Sequence, residues 1–577
     1  MLPRNSKPVR YRVLASDYDG TLARDGIVDP ETIDALARLR HSGRKLILVT
    51  GRELPDLEKV FNRLDLFDRV VAENGALLSD PQTRRTRALA LRPPDEFIEE
   101  LRRRGVQNLS VGEVILATWH PYETEALSAI RDFGLELQLI FNKDAVMILP
   151  SGINKMTGLT HALEELQLSR HNVVGVGDAE NDHAFLGCCE CAIAVANAIP
   201  SLKDRVDLVT TADHGAGVTE LIEKIIEDDL ASLSFALERH GILLGSAGDE
   251  KILLPPYQQN LLVCGQSGSG KSTLVAGFME RLMDQGYQFC LIDPEGDYES
   301  MAGCVTVGDE RHAPSLEQLA HLLEKTDEQL IVNMVGVAMA DRAAFFTSVF
   351  ALLEEKRLQT GRPHWIVIDE AHHMLPHESA SGTSELVSKL GSTLMITVHP
   401  EHVSPNALNT VNTIIAVGRE PHLVMNEFAE IAGVPPPDVP TDDLAPGEAL
   451  IWFRDSQRVL PRVRVEPPRA ERNRHKRKYA QGELEDERVF YFRGPEKKLN
   501  LRAQNLITFL QLADGVDDDT WLFHLKRADY SNWFRCGIKD TAIADQIARI
   551  EQNDSLSAAE SRAQIKEAVE SKYTAPA

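Results

Sequence analysis

Two successive series of short apolar runs, each alternating with amphipathic stretches, set the limits on what this chain can become. The first series holds Arg12–Ser16, Thr32–Ser42, Lys45–Thr50, Leu159–Leu166, Val173–Val176 and Ala192–Val195. The second holds Leu261–Cys264, Phe289–Ile292, Leu330–Asn333, Trp365–Ile368, Leu394–Val398 and Thr413–Val417. A parallel return between strands needs a crossover long enough for a helix, so this alternation predicts α/β architecture with helices on both sheet faces. Two doubly wound sheets follow from the count. Open sheets of this kind bind ligands beyond the carboxyl ends of their strands, which makes the residues just after each run the first place to look for chemistry.

The rest of the chain divides around these series. Between about residues 79 and 150 the rhythm shifts to short alternating runs, Val114–Trp119 and Leu135–Phe141, with a helical stretch near Tyr122–Asp132. That predicts a smaller α/β unit inserted into the first domain. A helical segment over about 220–239 leads into the second series, and a loop rich in Pro and basic residues, Pro467–Lys478, follows it. Beyond it lie Val489–Phe492, Leu499–Leu512 at helical period, Thr520–His524 and Asp529–Phe534, with Ser531 as an N-cap. Aromatic residues at that spacing predict a small, mainly helical module with a packed core. The domain boundaries are 1–228 with the insert at about 79–150, then 229–465, then 466–577; 577 residues accommodate that division.

Composition narrows the function classes. Lys and Arg number 62 against 87 Asp and Glu, a net charge of −25, which works against a surface that grips nucleic acid or an anionic membrane as a whole. Basic side chains cluster only at Arg462, Arg464, Arg469, Arg472, Arg474, Lys476, Arg477 and Lys478. The 7 cysteines suit reduced thiols in a cytosol. No run approaches the roughly 18–20 apolar residues of a membrane span. The expectation is a soluble cytoplasmic protein.

The first series ends in a set of acidic turns. Asp17-Tyr18-Asp19-Gly20-Thr21 follows the first run, Val49-Thr50-Gly51-Arg52 the second, and Gly177-Asp178-Ala179-Glu180-Asn181-Asp182 a later one; Lys155 opens a helix after Gly152. One sheet edge therefore receives carboxylates, a hydroxyl and a lysine. In order, spacing and wording these four motifs resemble the haloacid dehalogenase (HAD) phosphatase superfamily over residues 10–228. Glu73-Asn74-Gly75-Ala76 and the insert resemble its Cof-type branch with an α/β cap. The resemblance implies a Rossmann-like HAD core and a Mg²⁺-dependent phosphatase. Asp17 would be the nucleophile and Asp19 the general acid/base, with Thr50 and Lys155 holding the phosphoryl oxygens. Asp178 and Asp182, with Asp17 and the backbone carbonyl of Asp19, would hold Mg²⁺. The implied substrate is a small phosphorylated metabolite, commonly a sugar phosphate. Trp119, His120 and Tyr122 either contact such a sugar or pack the cap's own sheet. Arg84, Arg85 and Arg87 either attract an anion or form a solvated run. Cys188, Cys189 and Cys191 have no second Cys or His pair at suitable spacing for zinc.

The second series carries a phosphate loop. Gly265-Gln266-Ser267-Gly268-Ser269-Gly270-Lys271-Ser272 follows the strand Leu261–Cys264 and precedes a helix starting at Thr273. Gly265, Gly268 and Gly270 let backbone N–H groups turn inward, with Ser267 and Thr273 part of the cradle. Lys271 reaches the β- and γ-phosphates of ATP, and Ser272 ligates Mg²⁺. The run Trp365–Ile368 ends in Asp369, for the Mg²⁺ shell, and Glu370, for polarising water. With Asp293-Pro294-Glu295-Gly296-Asp297-Tyr298 and Thr397-Val398-His399, the wording resembles the HerA/FtsK superfamily of ATPases over residues 240–465. The resemblance implies a RecA-like P-loop domain and a homo-oligomer formed through it. His399 stands where those ATPases carry a polar sensor. Arg419 either acts as an arginine finger across a ring interface or pairs with a surface acid. The leading expectation is a phosphatase fused to an ATP-binding and hydrolysing domain. The alternative is an ATP-driven nucleic-acid translocase or defence protein with an accessory phosphatase, and the acidic balance does not favour it.

Overall fold

A computed structural model describes residues 9–573 except 143, 233–236, 300, 378–390, 470–488, 496–497, 539 and 554. It separates into a large unit, Met1–Arg469, and a small one, Ala470–Ala577.

The first sheet of the large unit has eight strands in the order Leu208–Val209, Cys191–Ala194, Val173–Gly177, Val13–Ser16, Lys45–Val49, Arg69–Ala72, Leu77–Asp80 and Arg85–Ala88. The first six run parallel and the last two return antiparallel. Val13, Leu14 and Ala15 are buried on both sides, as a central parallel strand requires. The terminal hairpin corrects one expectation: residues 79–88 extend the core sheet, and the inserted unit begins after them. That unit is an antiparallel sheet in the order Ser110–Val111, Leu116–Trp119, Ala145–Pro150, Leu137–Asn142. Helices Asp95–Arg103 and Glu123–Phe133 pack on one face through Phe97, Leu101, Ala129 and Ile130. Ile115, Met147 and Leu149 lie on the other face and cluster with Ala76 and Ile153 of the core domain.

The second sheet has eleven strands. Its parallel part runs Thr413–Val417, Asn260–Cys264, Thr393–Thr397, Trp365–Ile368, Phe289–Asp293, Gln329–Asn333, Cys304–Val307, and four antiparallel strands extend the Thr413 side. Two apolar layers, one around Phe346, Phe350 and Trp452 and one around Phe278, Tyr287 and Trp365, cover its faces.

The two sheets meet at their amino-terminal edges. Arg170 and His171, just before strand Val173–Gly177, contact the Gln285 carbonyl that ends helix Lys271–Gln285, at 2.6 and 2.8 Å. Tyr257 Oη donates to the His171 carbonyl, and His171 stacks on Tyr287 with ring centroids 3.8 Å apart. Glu190 is buried among Arg10, His171 and Tyr287. Both carboxyl edges consequently face away from the junction.

In the small unit the hairpin Phe490–Phe492/Leu501–Ala503 packs with helices over 506–573 around Phe509, Trp521, Tyr530 and Trp533. The run Leu499–Leu512 is a strand before it is a helix, which starts only at Leu506 with Asn505 as its cap. Ser531 is not an N-cap: its helix starts at Asp529, and its hydroxyl donates to the Ala528 carbonyl. Among the described residues no helix is long and apolar enough to cross a membrane.

Candidate functional site

Asp17 follows strand Val13–Ser16, and its N–H donates to Val176 on the neighbouring strand. The carboxylate is almost fully buried, 4% exposed. Lys155 Nζ lies 2.5 Å from Asp17 Oδ1 and 2.6 Å from Asp182 Oδ1. Asp182 Oδ2 in turn accepts from the N–H groups of Asp178 and Ala179 at 2.8 and 2.9 Å, and Thr21 donates to Asp178 at 3.2 Å. Two glycines make this convergence possible. Gly20 has φ +84°, and a Cβ there would lie 2.3 Å from Asp178 Oδ2. A Cβ on Gly75 would lie 1.9 Å from the Asn154 carbonyl, so a side chain there would displace the start of the helix that carries Lys155.

The electrostatics favour a cation. Asp17, Asp178 and Asp182 bring ligand oxygens within 4.8 Å of one another, and all three are buried. Burial, then the Asp182 charge, push the Asp17 carboxyl well above its ordinary range, with Lys155 opposing. Burial disfavours a charged Lys155, but Asp17 and Asp182 outweigh it and hold the ammonium protonated. One lysine against three carboxylates leaves negative charge that a hard divalent ion would balance, so this donor set fits Mg²⁺.

Thr50 is buried at the same edge, and its hydroxyl accepts from the Arg52 N–H at 3.1 Å. Asp19 is more exposed and does not reach Asp17's lysine. It is held instead by a bidentate pair with Arg52, Nε and Nη2 each at 2.7 Å. The motif Val49-Thr50-Gly51-Arg52 by itself assigns Arg52 no role, although its place two residues after Thr50 is a signal.

Glu73, whose motif by itself predicts no contact, anchors the inserted unit. Glu73, in a left-handed conformation at φ +51°, accepts from the N–H groups of Glu113, Val114 and Ile115 at 2.8, 2.8 and 3.0 Å. Met147 of the cap lies beside Gly51. Glu73→Ala strands these three N–H groups. The expected result is a fall in kcat/KM for an aryl phosphate of up to about 100-fold through displacement of the inserted unit, with the core fold retained. Steady-state kinetics on that substrate, with circular dichroism for the fold, check it.

The cap aromatics divide: Tyr122 packs toward the helices, His120 is exposed beside Glu123, and Trp119 is exposed on the strand face that carries Ile115 and Ala117. The arginine run turns at the amino-terminal edge, opposite Asp17, with Arg87 3.4 Å from Glu165. It is a surface run. Cys188 and Cys189 both donate to the Phe185 carbonyl.

The phosphate loop forms as expected between strand Asn260–Cys264 and helix Lys271–Gln285. Gly265, Gly268 and Gly270 all have positive φ, and a Cβ on Gly265 would lie 2.2 Å from the Val417 carbonyl. Lys271 Nζ donates to the carbonyls of Gly265 and Gln266 at 2.8 and 3.1 Å. Ser267 is partly exposed, Ser272 is buried, and Thr273 is exposed on the helix's first turn. Strand Thr393–Thr397 separates the loop strand from Trp365–Ile368, placing Thr397 between the phosphate loop and Asp369. Asp369 is buried, and its Oδ1 accepts from the Glu370 N–H at 3.1 Å. Glu370 sits at φ +43°, strained for a glutamate and of the kind concentrated at functional positions.

Asp293 is a loop scaffold, accepting from the N–H groups of Glu295, Gly296, Asp297 and Tyr298, while burial lifts its carboxyl to about 6. Arg419 is exposed after strand Thr413–Val417. Within the basic run Arg462 meets Glu448 and Arg469 meets Asp284, while Arg472, Arg474, Lys476, Arg477 and Lys478 lie outside the described residues.

Two regions of the chain match known families. Residues 14–116 and 133–222 match the family of haloacid dehalogenase-like hydrolases, and residues 256–398 match an AAA domain. Phosphoglycolate phosphatase 2 of Saccharolobus solfataricus is 31% identical over 37% of this chain and 92% of its own length. Phosphoglycolate phosphatase of Methanothermobacter thermautotrophicus is 30% identical over 37% of this chain and 99% of its own. A solved HAD-like hydrolase from Bacteroides thetaiotaomicron, 20% identical, covers 37% of this chain and 100% of its own at a TM-score of 0.34. The chain belongs to the haloacid dehalogenase-like hydrolases. It carries in addition a P-loop domain of AAA type and a helical carboxyl-terminal region.

Proposed function

We propose that this chain is a Mg²⁺-dependent phosphomonoester hydrolase with a Cof-type cap, joined to an ATP-hydrolysing domain of HerA type. The observation that carries the first half is the buried Asp17–Lys155–Asp182 contact beside Asp178. Asp17 attacks phosphorus, forming an aspartyl O–P bond as the ester O–P bond breaks. Asp19 gives its proton to the leaving oxygen, then takes one from the water that attacks the aspartyl-phosphate. Release from Arg52 frees Asp19 for that exchange. Lys155 and Thr50 hold the phosphoryl oxygens, and Asp17, Asp178, Asp182 and the Asp19 carbonyl hold Mg²⁺. The ion supplies positive charge where the phosphoryl oxygens gather.

The substrate is a small phosphorylated metabolite. Sugar phosphates are one class; 2-phosphoglycolate, the compound named in the archaeal relatives, is the other, and partly exposed Arg52 offers its carboxylate a cation. A panel of both classes, assayed with and without ATP, tests the reading. It fails if no phosphomonoester is hydrolysed.

In the second half Lys271 and Ser272 hold the nucleotide phosphates and Mg²⁺, and Glu370 orients water. Lys271→Ala is expected to lower ATP turnover by about 10²–10³-fold while leaving aryl-phosphate hydrolysis intact, because the two sites lie on opposite sides of the junction. Unchanged turnover would remove the assignment. A translocase would show ATP turnover that rises on adding duplex DNA in low salt, and assembly into a ring.

A further inference from the structure

The turn after strand Thr393–Thr397, which begins at the sensor position His399, carries a group of side chains with a geometry of its own. His399, Glu401 and His402 bring one nitrogen or oxygen each within 4.8 Å of one another. His399 Nδ1 lies 2.9 Å from Glu401 Oε1, and His402 Nε2 lies 3.8 Å from that same oxygen. The His372 ring, on the segment that follows Glu370, stands 6.2 Å from the His399 ring and 6.5 Å from that of His402.

Hydrogen bonds and buried side chains anchor the backbone beneath these groups. Pro400 opens a tight 3₁₀ turn, Pro400–His402, and both Pro400 and Val403 are buried. The His399 N–H donates to Thr397 Oγ1 at 3.1 Å, the Ser404 N–H to the Leu375 carbonyl at 2.8 Å, and the His377 N–H to the His402 carbonyl at 2.9 Å. Ligands held on such a frame lose little freedom on binding. An anion is a poor occupant, since the Glu401 carboxylate stands at the centre of the group.

We infer that His399, Glu401 and His402 form a site for a borderline divalent metal of the zinc class, to which the described residues contribute three ligands. Two imidazoles with one carboxylate is a donor set that zinc accepts and Mg²⁺ does not prefer. The site borders the Asp369–Glu370 segment through His372, whose Nδ1 bonds to Thr397 Oγ1 at 3.1 Å. Its place is the end of the strand between the phosphate loop and Asp369.

The test uses full-length protein saturated with Mg²⁺, so that the carboxylate cluster around Asp17 is filled. Co²⁺ is titrated while the visible spectrum is followed, and Zn²⁺ is then added in competition. The expected result is an intense visible band of low-coordinate Co²⁺, saturating near one equivalent and bleached by Zn²⁺. His399 and His402 side chains are 51% and 63% exposed, so His399→Ala/His402→Ala is expected to fold normally, as circular dichroism checks, and to lose the band. Retention of Co²⁺ affinity by the correctly folded double variant overturns the proposal. So does a wild-type spectrum showing only weak octahedral absorption, or a near-ultraviolet thiolate charge-transfer band that would place the metal on cysteine.

Discussion

Asp17→Asn is expected to abolish aryl-phosphate hydrolysis, by on the order of 10⁴-fold or more, without loss of the fold or of ATP turnover. The amide has nearly the shape of the carboxylate but cannot form the aspartyl-phosphate that the proposed mechanism requires. Stability moves the other way. Burial and Asp182 raise the Asp17 pKa in the folded chain, so the native state binds more protons than the unfolded chain above the usual carboxylate range. That carboxyl therefore costs stability as pH rises through the interval between the unfolded and the raised folded value. In Mg²⁺-free buffer at neutral pH the Asn variant is expected to melt at the same temperature as the wild type or higher, whereas added Mg²⁺ should raise the wild-type Tm more than the variant's. Differential scanning fluorimetry with an aryl-phosphate assay reads both. Intact activity in the variant removes Asp17 as nucleophile.

Chemistry written into consecutive residues at strand ends is legible in the amino-acid sequence alone. Asp17, Thr50, Asp178 and Asp182 each follow an apolar run of the first sheet, and the Gly265–Ser272 loop follows one of the second, so each parallel sheet delivers its own set to its carboxyl edge as those runs require. Pairings across long separations are not legible there. Glu73 meets residues 113–115, Arg52 meets Asp19, and Glu190 meets Arg10 and Tyr287, and no periodicity links such partners. The same limit explains the hairpin at 77–88. Its strands are short, and only pairing with Arg69–Ala72 assigns them to the core sheet rather than the cap. At Leu499–Leu512 the apolar spacing satisfies a helix throughout, but pairing with Phe490–Phe492 draws Leu501–Ala503 into a strand. Tertiary contact there overrides local preference.

Glu190→Ala is expected to be the most destabilising single change at the junction of the two sheets, costing about 3–5 kcal/mol. The Glu190 side chain is 1% exposed. It accepts from Arg10 at 2.5 Å and from Tyr287 Oη at 3.1 Å, and lies 2.6 Å from His171 Nδ1. Removing the carboxylate takes the Glu190 charge away from the half-buried Arg10 guanidinium, which lies over the Tyr257 ring. Burial alone would raise the Glu190 pKa, but His171, Arg10 and His240 together hold it down to about 2. A depressed carboxyl stabilises the fold fully above its unfolded pKa, near 4.5, and that contribution is lost as pH falls toward 2. The wild type should therefore lose stability across that window more steeply than the variant. Urea unfolding followed by separate probes for the two sheets is the appropriate measurement, since a chain of several domains need not unfold in one step. The junction also joins the amino end of the strand leading to Asp178 to the last turn of the helix that begins at Lys271. If nucleotide binding influences the phosphatase, this contact is one direct route between the two domains, beside those from Arg12 to Arg357 and from Arg362 to Gln167. Glu190→Gln, which keeps the side-chain volume, should then weaken any effect of ATP on phosphatase kcat/KM while leaving each activity measurable alone. An ATP effect that survives undiminished in Glu190→Gln would exclude this route.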